Sequence, residues 1–450
     1  MRTNVPLKLI SEVEGTGRLP LRPSLGWPRR RARSETKTAR ADDRTGRVEV
    51  MPLLRWIFYC FAFSLPFETV GIGRLEPPEV FGALLLLCAL IQPGVFLRWP
   101  PRAFWCFVVY LYLAVTLGAL EFSRYPSELA AKMFLLSQLT ILCWLAYCLM
   151  RDDRVAQRAL LVFVFSCALL AALQVTGVVS RAADTGAKIQ RVTALGFNPN
   201  NLARILALGL IALFGLTYGA RKSLLRPRYV ALPLMGVLGV AIVQTGSRGG
   251  LLALSAGLLI FVLSGATLRS KLRNLAAVTL VLGFFAFVAL QSETMRGRFE
   301  KTLEEGDVAR REQIYPSAWE MFKEKPLVGW GAITSTYELG SRLGHPEEDS
   351  KNPHNLILYA LVSSGLVGAL PLLLGIGLVV WSAWRARKGL HGMLPLSMVV
   401  VVLVANMSGL WLYNKMHWLV MAYALASSQS YFNSRRSKPK TDAAYRAQAA

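Results

Sequence analysis

The sequence predicts an all-α integral membrane protein of about twelve transmembrane helices, with one large outer loop that holds an amphipathic helix. Three observations carry that expectation. Of 450 residues, 54% are hydrophobic and 17% charged, against roughly 25% charged in a soluble domain. The charges fall in blocks between long apolar runs, as they do when lipid is the solvent. Every second inter-run loop is rich in Lys and Arg, the sign of a chain threaded back and forth across a bilayer.

A helix needs roughly 20 apolar residues to span the hydrocarbon core. The candidate spans are 53–70, 80–97, 103–120, 129–149, 159–179, 201–219, 229–245, 249–267, 275–291, 355–382, 394–411 and 416–432. The tenth contains Pro371, where a kink is expected. The basic loops hold Arg98 and Arg102, then Arg151, Arg154 and Arg158, then Arg221, Lys222, Arg226 and Arg228, then Arg269, Lys271 and Arg273, then Arg385, Arg387 and Lys388. Positive charge marks that side as cytoplasmic. The opposite loop 68–79 carries Glu68, Glu76 and Glu79 against Arg74. The division expected is a basic N-terminal segment 1–50, helices one to nine over 51–291, a large periplasmic loop over 292–353, helices ten to twelve over 354–432 and a basic cytoplasmic tail over 433–450. Both termini then lie in the cytoplasm.

The first 50 residues carry 12 Lys/Arg against 6 Asp/Glu and no apolar stretch. They read as disordered and not as a signal peptide. Met51 opens directly onto the first apolar run and is a second candidate start of translation beside Met1. The net charge of +24 does not point to nucleic acid, because the excess sits in short loops that report topology. The six cysteines, Cys60, Cys88, Cys106, Cys143, Cys148 and Cys167, fall inside apolar runs without CxxC spacing, so no disulfide framework is expected.

The loop 292–353 has 9 basic and 12 acidic residues. Within it Ile314, Ala318 and Phe322 recur at helical spacing, with Trp319 widening the stripe, an amphipathic helix between Val308 and Lys325. The turn Pro326-Leu327-Val328-Gly329-Trp330-Gly331 ends it. Trp99, Trp381 and Trp411 near span ends suit an interfacial belt, and Asn406 suits a hydrogen bond between helices. Glu347, Glu348 and Asp349 read as a solvated acidic turn, and His345, His391 and His417 lack partners at metal-ligand spacing.

The outer side gathers cations against the positive-inside trend: Arg181, Lys188 and Arg191 in 180–200, Arg248 in Thr245-Gly246-Ser247-Arg248-Gly249-Gly250, and Lys132 and Arg204 near outer span ends. An anionic ligand would account for them, since guanidinium groups bind phosphate bidentately and the glycines would let backbone approach it. For Lys132 and Arg204 the alternative is snorkelling to lipid headgroups. His354, in Asn352-Pro353-His354-Asn355, is placed by Pro353 in or near the first turn of the tenth span. A helix N-terminus keeps an imidazole neutral, and a neutral imidazole can act as a general base; the alternative is an interfacial helix cap. Asn198 and Asn200, in Phe197-Asn198-Pro199-Asn200-Asn201, suit either an N-cap or amide contacts to sugar hydroxyls or a diphosphate oxygen.

Taken in order, Arg191 with Gly196-Phe197-Asn198-Pro199-Asn200-Asn201-Leu202-Ala203, then Thr245–Gly250, then Pro326–Gly331, then Asn352–Asn355 opening a helix resemble the O-antigen ligase and polymerase superfamily, over about residues 190–420. The resemblance implies a periplasmic-face glycosyltransferase of the bacterial inner membrane that draws its glycan from a polyprenyl-diphosphate carrier, without cofactor or metal. It implies Arg191 and Arg248 as diphosphate binders and His354 as catalytic base. Arg204, Asn198, Asn200, Asn352 and Asn355 are the further candidate substrate contacts. The acceptor hydroxyl belongs to lipid A-core in a ligase, and to a lipid-linked repeat unit in an O-antigen or exopolysaccharide polymerase. A lipid-linked sugar transporter is a rival reading, but it would gather ionisable residues near the bilayer midplane, and these lie at the outer ends. A non-catalytic scaffold would need no such set.

Overall fold

The computed structural model describes residues 50–71, 75–97, 99–118, 124–183, 191–219, 228–264, 267–297, 311–344 and 350–436. The expectations for segment 1–49, Arg74, Arg98, Lys188, the basic cluster 221–227, His345, the acidic turn 347–349 and the tail from 437 lie outside those residues.

The chain is an all-α membrane protein. Its helices are α1 (Pro52–Ser64), α2 (Pro77–Ile91), α3 (Arg102–Gly118), α4 (Pro126–Met150), α5 (Asp153–Val175), α6 (Pro199–Phe214), α7 (Arg228–Gln244), α8 (Arg248–Ile260), α9 (Leu268–Gln291), α10 (Arg311–Glu324), α11 (Thr334–Arg342), α12 (Leu356–Ala386), α13 (Leu394–Asn406) and α14 (Lys415–Arg436). Each of the twelve expected spans falls on a helix. Five segments are long and apolar enough to cross a membrane: Pro126–Met150, Asp153–Val175, Pro199–Tyr218, Leu268–Gln291 and Leu356–Ala386. Shorter apolar helices cover Pro52–Phe67, Pro77–Ile91, Arg102–Gly118, Tyr229–Gln244, Arg248–Leu263 and Leu394–Asn406.

Helix α6 is the axis of the bundle: every residue from Leu202 to Phe214 is buried, among α5, α7, α8 and α13. Without a hydrophobic drive in lipid, close helix approach depends on small residues. A Cβ on Gly209 would stand 2.6 Å from that of Cys167, one on Gly257 2.5 Å from Val401, and one on Gly375 2.6 Å from Phe107. Helix α9 lies at the rim, with only Val278 and Phe285 buried and Leu280 and Leu290 turned outward. Such contiguous apolar surface suits lipid and not water.

The segment read as a plain loop over 180–200 contains a hairpin: β1 (Ser180–Ala183) pairs antiparallel with β2 (Arg191–Ala194), Ala183 opposite Arg191. Between α9 and α12, α10 buries Ile314, Ala318 and Met321. The stripe is therefore i, i+4, i+7; Phe322 is half-buried at its edge, and Trp319 is 46% exposed on the far side. This face packs with Leu339 of α11 and Val362 of α12, so α10 lies on the helical bundle.

The kink in α12 is not set by Pro371. The helix breaks at Gly365, which has φ 58° and ψ −164°. The turn 326–331 fills the break. Trp330 and Gly331 N–H donate to Val362 and Ser363 carbonyls at 2.8 and 2.9 Å, and Leu366 and Val367 N–H donate to Pro326 and Leu327 carbonyls at 2.8 and 3.1 Å. Backbone freed inside a membrane helix must find partners within the protein, and this turn supplies them. Trp411 also departs from its expected interfacial place. It is buried at 1% exposure, whereas Trp99 and Trp381 are exposed. Asn406 makes the expected bond between helices, its Nδ2 lying 3.1 Å from Nδ1 of His417 on α14.

Candidate functional site

Arg191 opens β2 with 6% exposure. Its Nε donates to the Thr245 carbonyl at 2.9 Å and a terminal nitrogen donates to Asn200 Oδ1 at 2.8 Å. One guanidinium thereby fastens the hairpin to both the start of α6 and the turn before α8. Between β2 and α6 the chain reverses through Leu195 and Gly196, at φ 54° and 77°; the left-handed region is rare for a residue like leucine. Thr193 Oγ1 donates to the Phe197 carbonyl across this reversal. Asn198 then caps α6 by accepting from the Asn200 N–H at 2.9 Å, with Pro199 at the first helical position. Asn198 and Asn200 are thus both occupied in shaping the turn.

In the next turn Gly246 has φ 63°, and Ser247 caps α8 by accepting from the Gly250 N–H at 3.1 Å. Arg248 stands at the first position of α8, where the helix dipole and unpaired N–H groups favour an anion. The glycines beside it serve packing. A Cβ on Gly250 would meet that of Ala203 at 2.5 Å, and one on Gly249 would meet Ser408 Oγ at 2.8 Å. The close approach expected of a ligand is made here by α6 and by the segment after α13.

Ser408 is the hub of the site. Its carbonyl accepts from Arg204 at 2.7 Å and from Arg311 at 3.2 Å, and its hydroxyl lies 3.0 Å from Arg204. Arg204 does not snorkel: it is 3% exposed, donates to Asn201 Oδ1 at 3.1 Å and lies over the Trp411 ring at 5.9 Å. Trp411 Nε1 donates to the same Asn201 oxygen at 3.2 Å. A Cβ on Gly409 would stand 2.4 Å from the Arg204 guanidinium. Lys132 is held in the protein as well, its Nζ donating to the Ala332 carbonyl at 2.7 Å between the rings of Tyr359 and Tyr413.

His354 lies near the first turn of α12, two residues before Leu356 opens the helix. Asn355 is the cap, its Oδ1 accepting from Ile357 and Leu358 N–H at 2.9 and 3.2 Å. His354 itself is held at φ 52°, a conformation that costs a non-glycine residue about 1–2 kcal/mol. Half-buried Asn352 and buried Pro353 lead into it, and Lys351 N–H donates to the Thr336 carbonyl of α11 at 2.9 Å. Although part of its surface is open, desolvation by the surrounding protein holds the imidazole below the usual histidine range. The charges of Arg311, Arg204 and Lys351 push it the same way. The expected neutrality is supported, with burial and cations as its cause.

The structure gathers Arg191, Asn198, Asn200, Arg204 and the Arg248 turn at the adjoining starts of α6 and α8, and sets His354 beside Arg204 and Arg311. Sequence reading missed Arg311, Ser408, Asn201 and the site role of Trp411. Arg311 lies among mixed charges, and Ser408 is a small polar residue at a helix end, so neither gave a signal.

The family model described as O-antigen ligase matches residues 233–373, a stretch that includes Arg248, Arg311, the 326–331 turn, His354 and Gly365. An O-antigen ligase of Pseudomonas aeruginosa is 26% identical over 261 residues, which cover 55% of this chain. The aligned region spans 60% of the length of that curated relative.

Proposed function

We propose that this chain is a glycosyltransferase of the O-antigen ligase family, a reading that the matched stretch and the relative support. It moves a glycan from a polyprenyl-diphosphate carrier to an acceptor hydroxyl, that of lipid A-core, on the periplasmic face of the bacterial inner membrane. The observation that carries the reading is His354, held on a strained backbone at the head of α12 and kept neutral among cations. A neutral imidazole takes the proton from the acceptor hydroxyl. The hydroxyl oxygen then bonds to the anomeric carbon as its bond to the diphosphate oxygen breaks. Negative charge grows on that leaving oxygen. Arg248, at a helix N-terminus, offsets it, a contribution that acts most strongly in the transition state. Arg191 holds the turn that aims Arg248, and Arg204 holds Ser408 and the segment behind it.

The test is genetic. The host lacking this gene is complemented with the wild-type chain, His354→Ala or Arg248→Ala, with membrane levels matched, and surface and lipid-linked glycans are resolved by electrophoresis. The wild type restores capped lipopolysaccharide, and the two variants leave long glycan on its lipid carrier. Single repeat units stranded on the carrier would replace the ligase assignment with the polymerase one. Full complementation by both variants would remove the site, and the transporter reading would take its place.

A further inference from the structure

Two guanidinium groups converge on one carbonyl at the centre of the site. Arg204, from α6, reaches the Ser408 oxygen from within the bundle, and Arg311, from the first turn of α10, reaches it from the outer helices. A carbonyl can accept from both donors, but it offsets neither charge. Neither arginine forms an ion pair with a carboxylate among the described residues, and Arg204 acts under the direct repulsion of Arg311. Lys351 adds a third charge near His354. The Arg204 Nε is buried without a hydrogen-bond partner, in a side chain only 3% exposed. Like charges brought together at a partly buried site repel, and an anion between them would relieve that repulsion.

The two arginines differ in what they can reach. Arg204 is enclosed by Asn201, Ser408, Gly409 and Trp411. Arg311 is half-exposed, and its contact with Ser408 leaves its remaining guanidinium donors for another acceptor. Ser408 also touches Gly249, the neighbour of Arg248, so Arg311 and the head of α8 flank the same segment. Tyr315, one turn along α10, anchors that helix by donating to the Met407 carbonyl at 3.1 Å. The position of Arg311 is thus fixed by a group other than its own charge.

We propose that Arg311 is a third anion-binding residue of the site, holding the lipid-linked diphosphate from the outer helices while Arg248 holds it from the bundle. This rests on the donor assigned under the proposed function. A diphosphate carries two phosphoryl groups, and arginines approaching from opposite sides match that distribution of charge. Arg204 is the fixed charge behind them, positioning Ser408.

The test is a binding titration on the purified full chain in lipid nanodiscs, with farnesyl diphosphate as probe and farnesol as its uncharged counterpart. The wild type should prefer the diphosphate. Arg311→Gln should weaken the diphosphate about tenfold and leave farnesol unchanged, and Arg311→Lys should recover part of the loss. Tyr315→Phe, which removes the neighbouring anchor but keeps the Arg311 charge, should weaken the diphosphate less than Arg311→Gln does. Wild-type affinity in Arg311→Gln while Arg248→Ala loses the diphosphate would overturn this inference and leave the proposed function standing. Equal loss of both ligands in Arg311→Gln would make Arg311 a structural residue and overturn it too. A wild-type chain that does not distinguish diphosphate from alcohol would overturn the donor assignment, and this inference with it.

Discussion

A general base works in its unprotonated form, and His354 is held in that form first by desolvation and then by Arg311, Arg204 and Lys351. A lowered pKa leaves the imidazole neutral at pH 7, so kcat/KM should be level there and fall only as pH drops through a midpoint below the ordinary value of about 6.5. His354→Ala should remove that acid limb and slow transfer by about 10²–10⁴-fold, read from pH–rate profiles of both proteins. Arg191 and Arg248 should separate in a different assay. Arg248→Met should reduce transfer in larger proportion than it lowers thermal stability. Arg191→Met should lower both, because it strands the Thr245 carbonyl and Asn200 that Arg191 now satisfies, at about 1–3 kcal/mol for each buried group left unpaired. A melting curve in detergent beside the activity assay checks the pair. Arg191 and Arg248 stood out in the sequence because cations in segments expected outside oppose the topological trend. Arg311 did not, since a loop with 9 basic and 12 acidic residues makes one more arginine unremarkable.

The break in α12 shows what helix-level reading finds and what it misses. Pro371 is visible in any sequence, whereas Gly365 looks like its neighbours Gly368, Gly375 and Gly377. What distinguishes Gly365 is its partner, a turn distant in sequence whose carbonyl at Leu327 would stand 2.2 Å from an added Cβ. Gly365→Ala should therefore cost about 1–3 kcal/mol from backbone strain before the clash is counted, and should lower the melting temperature. Pro371→Ala, which returns an N–H to a helix that already tolerates the ring, should lower it less. The amphipathic helix of the outer loop was legible from its period, but its exact face depended on which side met the bundle, and Met321 replaced Trp319 there. The hairpin was missed because its strands are four residues each, too short for an alternation to stand out.

For the molecule as a whole, helix positions were legible because lipid demands apolar helices: each expected span falls on a helix, and five of those helices are long and apolar enough to cross a membrane. Contacts between helices were not, since an apolar residue facing lipid and one facing protein read alike. The proposed orientation sets the start of α12 outside and its end in the cytoplasm. In a cysteine-free background, Ser350→Cys should be labelled by an impermeant maleimide on intact spheroplasts and Lys388→Cys only after permeabilisation; labelling of both, or the reverse, would refute the orientation. The central claim is that His354 activates an acceptor against a polyprenyl-diphosphate donor. It is tested most directly with the purified chain in nanodiscs, given a defined polyprenyl-diphosphate glycan and lipid A-core, with released polyprenyl diphosphate and glycosylated acceptor counted in one reaction. The account predicts equal amounts of both from the wild type, and both lowered together by about 10²–10⁴-fold in His354→Ala although that variant still binds donor. Transfer by His354→Ala at the wild-type rate would contradict it.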